Sequence, residues 1–235
     1  MNFLYIKRYL KNKFFYNNPL YLYYFKFFVD KHKELFINQN TDIIVEGFPR
    51  SGNSFLVFYL KKISKNKINI ASHTHHPAHV MKGYKEKKTI IIVIREPIDA
   101  VVSLFIFYKK KIKFELLIDE YISFYNRIFK YKDEFIILNF ETIIKNPKKV
   151  INIINSKNKK KRLNYSLIKK NVIFNLLKVH SKKKFNIVDK YQNSLLQKEY
   201  KNEKKAIKKL LFKEVSQEKI KQSRKLYKNF LKIKK

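Results

Sequence analysis

Only three of the 235 residues are glycine, where ordinary usage would give roughly 16. Glycine is kept under such depletion where no side chain fits, so each survivor marks a place where the backbone is constrained. Gly47 and Gly52 lie five residues apart, and Gly83 stands alone. Prolines are almost as scarce: Pro19, Pro49, Pro77, Pro97 and Pro147. The chain has no cysteine, which excludes a disulfide framework, a zinc–thiolate site and a cysteine nucleophile. With 45% hydrophobic and 16% aromatic residues, a chain of this length can bury a substantial core.

From Thr41 onward, short apolar runs alternate with helical periodicity. Ile43-Ile44-Val45-Glu46 reads as a buried strand, followed by a loop over 47–52. Phe55, Leu56, Tyr59, Leu60 and Ile63 give the stretch from Asn53 to Ile63 a helical apolar face. A second strand is expected at 68–71, running into Ser72-His73-Thr74-His75-His76-Pro77, with a short helix over 77–85. Thr89-Ile90-Ile91-Ile92-Val93-Ile94 has the β-branched composition of a central parallel strand covered on both faces. Pro97 suits the first position of a helix reaching Tyr108. A helix over 115–131, a strand over 135–139 and a helix starting near Glu141 complete the alternation. The pattern predicts an α/β, P-loop-like three-layer sandwich, its mostly parallel central sheet flanked by helices.

Three regions follow: an N-terminal amphipathic helical segment (1–40), an α/β core (41–155), and a basic, mainly helical C-terminal extension of the same domain (156–235). The apolar stretch from Phe14 to Val29 is interrupted by Asn17, Asn18, Pro19 and Lys26. It does not reach the length of about 20 apolar residues that a spanning helix needs. It also lacks the small-residue cleavage site of a secretory signal, so a cytoplasmic location is expected. Interleaved Tyr, Phe and Lys leave contact with a membrane surface open.

The formal charge of +36 favours an anionic partner. Residues 156–235 carry 27 Lys and Arg against 5 Asp and Glu, so 22 of the 36 net charges fall there. An AT-rich coding sequence explains the same surplus of Lys, Asn, Ile, Phe and Tyr without any partner. The distribution therefore argues less about function than particular arginines do.

Gly47-Phe48-Pro49-Arg50-Ser51-Gly52-Asn53-Ser54 follows a strand and opens a helix. Such a turn offers unpaired N–H groups and the positive end of a helix dipole to an anion. It is a near-miss to the nucleotide P-loop: Asn53 stands where that loop has lysine, while Ser54 keeps the hydroxyl and Arg50 supplies the charge. Without the lysine the loop is poorly equipped for nucleoside-triphosphate chemistry but can still hold one phosphate.

The segment Phe48-Pro49-Arg50-Ser51-Gly52-Asn53-Ser54-Phe55-Leu56 resembles the 5′-phosphosulfate loop of sulfotransferases that use 3′-phosphoadenylyl sulfate (PAPS). Arg50 takes the place of the family's usual lysine, and Phe55 that of a tryptophan that stacks on adenine in some members. Phe55 equally suits a helix core. Arg95-Glu96-Pro97-Ile98-Asp99, with Ser103 eight residues after Arg95, resembles the family's 3′-phosphate motif. A guanidinium leaving the carboxyl edge of a central strand is well placed to grip phosphate through its planar fork. Asp99, in the first turn of the helix, reads as structural. A weaker echo covers Ile137 to Pro147, and the likeness extends over about residues 41–150.

Four of the six histidines, His73, His75, His76 and His79, fall within seven residues. The resemblance implies a catalytic histidine a little over twenty residues before the 3′-phosphate arginine. His73 lies 22 and His75 20 residues before Arg95, and His73 is taken first. If extended, the segment turns both to one side, and His76 and His79 could pair on a helix face. A metal site and a solvated loop are the competing readings of this cluster; with no cysteine or nearby carboxylate, no metal is expected.

The resemblance thus implies sulfuryl transfer from PAPS to a hydroxyl or amine of an unidentified acceptor, which could be an anionic glycan. Arg50, Ser51, Gly52, Asn53, Ser54, Phe55, Arg95 and Ser103 would bind PAPS, with Arg50 and His73 or His75 catalytic. No specific nucleic acid is predicted. The alternatives are a P-loop nucleoside or small-molecule kinase and a non-enzymatic polyanion binder. The glycine-containing basic string with which family members close the 3′-phosphate site has no counterpart after Gly83.

Overall fold

A computed structural model describes Arg8 and residues 35–65, 67–157, 163–164, 168, 171–176 and 198–232. Of the helical segment expected over 1–40, residues 1–34 lie outside the described residues, apart from Arg8, and 35–40 form turns with no α-helix. Arg8 donates from Nε to Glu120 Oε1 at 2.9 Å and from Nη1 to the Tyr108 hydroxyl at 2.6 Å.

The chain alternates strand and helix. β1 (Ile43–Glu46), α1 (Asn53–Ile63), β2 (Ile70–Ser72), α2 (Pro77–Lys85), β3 (Thr89–Ile94) and α3 (Pro97–Phe107) come first. α4 (Phe114–Phe129), β4 (Ile136–Asn139), α5 (Phe140–Lys145), α6 (Pro147–Lys157), α7 (Lys198–Glu214) and α8 (Gln217–Leu231) follow. The four strands form one parallel sheet in the order β2-β1-β3-β4. Pro77, Pro97 and Pro147 each open a helix, where the missing N–H costs nothing and φ is already helical.

Strand periodicity divides the core into two layers. Ile44, Ile90, Ile92 and Ile94 face α2, α3 and α4, whose Val80, Val101, Leu104, Leu117 and Phe124 cover them. Ile43, Val45, Ile91 and Val93 face the other way, onto Leu56 and Leu60 of α1 and Val150 and Ile154 of α6. The protein is therefore an α/β three-layer sandwich, as the alternation predicts. α8 lays Ile220, Leu226 and Phe230 into the first of these layers, packing on α3 and α4.

Several boundaries differ from expectation. β2 covers Ile70–Ser72 instead of 68–71, because its ladder with β1 begins at Ile43↔Ile70. Ile68 is buried but precedes the ladder, where the Asp42 carboxylate accepts the Asn69 N–H at 2.9 Å. α3 ends at Phe107, one residue early, before a turn in which Lys109 and Lys110 are left-handed (φ 51° and 62°). α4 spans Phe114–Phe129 instead of 115–131, and β4 starts at Ile136 instead of Phe135. Among the described residues no helix is long and apolar enough to cross a membrane.

Candidate functional site

The strand order places a topological switch between β1 and β3: the chain leaves β1 toward β2 on one side and β3 toward β4 on the other. A crevice outside the carboxyl ends of the strands at such a point is where open α/β sheets bind ligands. The loops after β1, β2 and β3 all emerge on this edge, and every predicted site residue lies on one of them or on the helix it leads into.

The loop after β1 is held tightly. A Cβ on Gly47 would collide with the Val93 carbonyl oxygen, so only glycine lets the loop cross β3. Gly52 is left-handed at φ 102° and packs on Phe140, so a side chain there would be both strained and crowded. The Asn53 amide donates back to the carbonyls of Gly47 (3.4 Å) and Phe48 (3.2 Å). Asn53 thus ties the loop together through its side chain. Ser51 N–H donates to Phe48 O at 3.2 Å, so it does not join the donors expected to face an anion. The opening turn of α1 still leaves N–H groups without intrahelical partners at Gly52, Asn53 and Ser54.

The two motifs meet. Arg50 Nε donates to the Ser103 hydroxyl at 3.3 Å, and its guanidinium lies 5.0 Å from the centre of the Phe107 ring. Arg95 Nη1 donates to the Arg50 carbonyl at 2.8 Å, with its guanidinium 4.1 Å from the centre of Phe140. Arg50 itself is left-handed (φ 66°), which turns its carbonyl toward Arg95. Arg50, Arg95 and Ser103 therefore form one cluster around the start of α1. Phe55 takes the core role: it is buried, with its ring 5.5 Å from Phe174.

The histidine segment differs from the extended form expected. His73 and His75 are both left-handed (φ 65° and 49°), a conformation that costs about 1–2 kcal/mol for a residue with a Cβ. Their rings still come together, 5.9 Å apart and edge to face. The His73 nitrogens bridge two hydroxyls, Nδ1 to Ser72 at 2.7 Å and Nε2 to Ser54 at 2.8 Å. His75 Nδ1 donates to the Gly47 carbonyl at 2.7 Å, which places a proton on that nitrogen.

His76 and His79 do not pair with each other. His76 caps α2, accepting the Ala78 N–H at 3.2 Å, because its backbone is extended just before the helix. His79 accepts the Ile37 N–H on Nε2 at 3.1 Å and donates from Nδ1 to Glu46 at 2.9 Å. Among the described residues no three His, Asp or Glu side chains are grouped to hold a metal ion.

Residues that no local motif signals complete the site. Glu46 is fully buried at the end of β1, where burial alone would raise its pKa. The hydrogen bond from His79, the adjacent His79 and His75 rings and the Thr74 hydroxyl outweigh that and hold it down to about 2. Tyr121 donates to the Arg95 carbonyl and Tyr125 to the Val93 carbonyl, each at 2.8 Å, and Tyr125 also accepts the Phe48 N–H. Burial pushes both phenols above their ordinary range, keeping them as donors. Asp99 receives Lys204 and Lys208 of α7, each at 2.7 Å, while the Glu96 side chain caps α3 and accepts Arg224 of α8 at 3.1 Å. The start of α3 is thereby ringed by cations from the C-terminal helices.

No family model and no curated protein matches the chain. The functional reading accordingly rests on the two motifs and the geometry that joins them.

Proposed function

We propose that the protein is a sulfotransferase that moves the sulfuryl group of PAPS to a hydroxyl or amine of an acceptor. The observation that carries this reading is the meeting of two motifs 45 and 53 residues apart in the chain, through Arg95–Arg50 and Arg50–Ser103. Two arginines of fixed orientation beside one helix start suit a ligand bearing two separate phosphates.

In this reading the N–H groups of Gly52, Asn53 and Ser54 hold the 5′-phosphate, and Arg95 with Ser103 holds the 3′-phosphate. The acceptor oxygen attacks sulfur in line, and the bond from sulfur to the 5′-phosphate oxygen breaks. The departing oxygen gains negative charge, which Arg50 stabilises most where it develops, in the transition state. The acceptor's proton passes to a histidine. Of the two candidates this reading takes His75, because the Gly47 carbonyl holds a proton on Nδ1 and so makes Nε2 the basic nitrogen of the neutral ring. His73 is instead a link that orients the Ser54 hydroxyl.

Thermal shift and calorimetry test the reading. Adenosine 3′,5′-bisphosphate should stabilise the protein and ATP-Mg should not. Arg50→Ala and Arg95→Ala should each weaken bisphosphate binding by about tenfold or more, the scale of a lost charge-assisted hydrogen bond. Stabilisation by ATP-Mg alone would turn the assignment to a kinase. Unchanged bisphosphate binding in both variants would remove the site.

A further inference from the structure

Glu46 sits one residue before the anion loop, with no exposed surface and no place in the transfer chemistry. It accepts four hydrogen bonds. Oε1 takes the Thr74 N–H (3.0 Å), the Thr74 hydroxyl (2.8 Å) and His79 Nδ1 (2.9 Å), and Oε2 takes the His75 N–H (3.0 Å). Three of the four come from the turn whose His73 and His75 are left-handed. That turn has reason to relax, and the carboxylate's three bonds oppose this together with those of the His73 and His75 rings. The Ile37 N–H fixes the His79 tautomer in turn, so the His79 donor points at Glu46.

We propose that Glu46 is the positioning residue for His75: its carboxylate holds the 73–75 turn so that the imidazole stays against the Gly47 carbonyl with its proton on Nδ1. This rests on the reading of His75 as the base, which the same site supports. A carboxylate is required because every group facing it is a donor, and a carboxylate offers acceptors alone. Glutamine of the same shape would turn an NH2 group toward a donor and leave one of the bonds unmade. His75 would then leave the Gly47 carbonyl as the turn relaxed to an ordinary backbone conformation.

The test reads the tautomer directly, without ligand or acceptor. Long-range proton–nitrogen NMR on the 15N-histidine protein should show His75 protonated on Nδ1 in the wild type and as a tautomer mixture in Glu46→Gln. Adenosine 3′,5′-bisphosphate affinity should stay within about threefold, since the bonds that join Arg50, Arg95 and Ser103 involve neither Glu46 nor the 73–75 turn. Thr74→Val removes one donor and keeps the shape, so it should move the His75 signal the same way even if Glu46→Gln does not fold. An unchanged His75 tautomer in whichever of the two variants folds overturns the proposal. A loss of bisphosphate affinity of about tenfold or more overturns it too, since that marks general collapse of the edge. A wild-type protein that binds no bisphosphate defeats the sulfotransferase reading instead, while the tautomer measurement still decides the role of Glu46.

Discussion

Arg95 leaves the sheet edge already aimed. One guanidinium nitrogen is tied to the Arg50 carbonyl, its plane lies against Phe140, and its own carbonyl is held by Tyr121. Lysine can supply the charge but neither the fork nor the stacking face. Arg95→Lys should therefore lose about tenfold in bisphosphate affinity, with the melting temperature of the free protein little changed; calorimetry with the bisphosphate checks it. An affinity equal to wild type would mean that Arg95 acts as a point charge only. At this scale Arg50, Arg95 and Ser103 were legible from sequence because a strand end and the helix start after it are adjacent in the chain. Glu46 was not: its partners lie 28 to 33 residues away, and its only local sign is a carboxylate closing an apolar strand. Tyr121 and Tyr125 were hidden in another way, since their spacing reads as the buried face of a helix whether or not the hydroxyls reach β3.

At the scale of the elements, α2 packs close against the sheet at Gly83. A Cβ on Gly83 would collide with Ile44 Cδ1, and Ile90 Cδ1 lies 3.5 Å away. Gly83→Ala should destabilise the fold by about 1–3 kcal/mol, the usual cost of overpacking, seen as a lower urea midpoint. A midpoint at or above that of the wild type would show that α2 can slide outward freely. The interiors of the elements followed from apolar periodicity, and their ends only in part. α1, α2 and β3 begin and end where the pattern puts them. β2 is displaced because ladder register, set by the partner strand, decides where pairing starts. The 73–75 turn escaped prediction because its left-handed residues are histidines, so no glycine signals them.

At the scale of the molecule, the basic C-terminal helices are part of the architecture. α8 fills the core with Phe230 and Leu226, while Lys204, Lys208 and Arg224 meet Asp99 and Glu96 at the start of α3. Composition could not separate these cations from the solvated majority, because contact partners are set by the packing of distant helices. Two carboxylates in the resulting frame stay ionised far into acid. Burial opposes the charge of each, but Glu46 is held from 4.5 down to about 2 by His79, His75 and Thr74, and Asp99 from 3.8 down to about 2 by Lys204 and Lys208. Groups with depressed folded-state values stabilise the protein above their unfolded values and lose that contribution as the pH falls toward the folded ones. Stability should thus fall between about pH 4.5 and pH 2. Urea titrations followed by circular dichroism at the two ends of this window would show it, and equal midpoints would refute it.

The order β2-β1-β3-β4 puts Arg50 and Arg95 just beyond the two innermost strands, whose backbone is bonded on each side and whose side chains, apart from Thr89, are buried on each face. Amides in such strands exchange with solvent only when the whole domain opens, unlike those of a peripheral loop. The loops that carry the proposed site are therefore attached to the part of the molecule expected to melt last. The points at which those loops are anchored should hold as long as the core does.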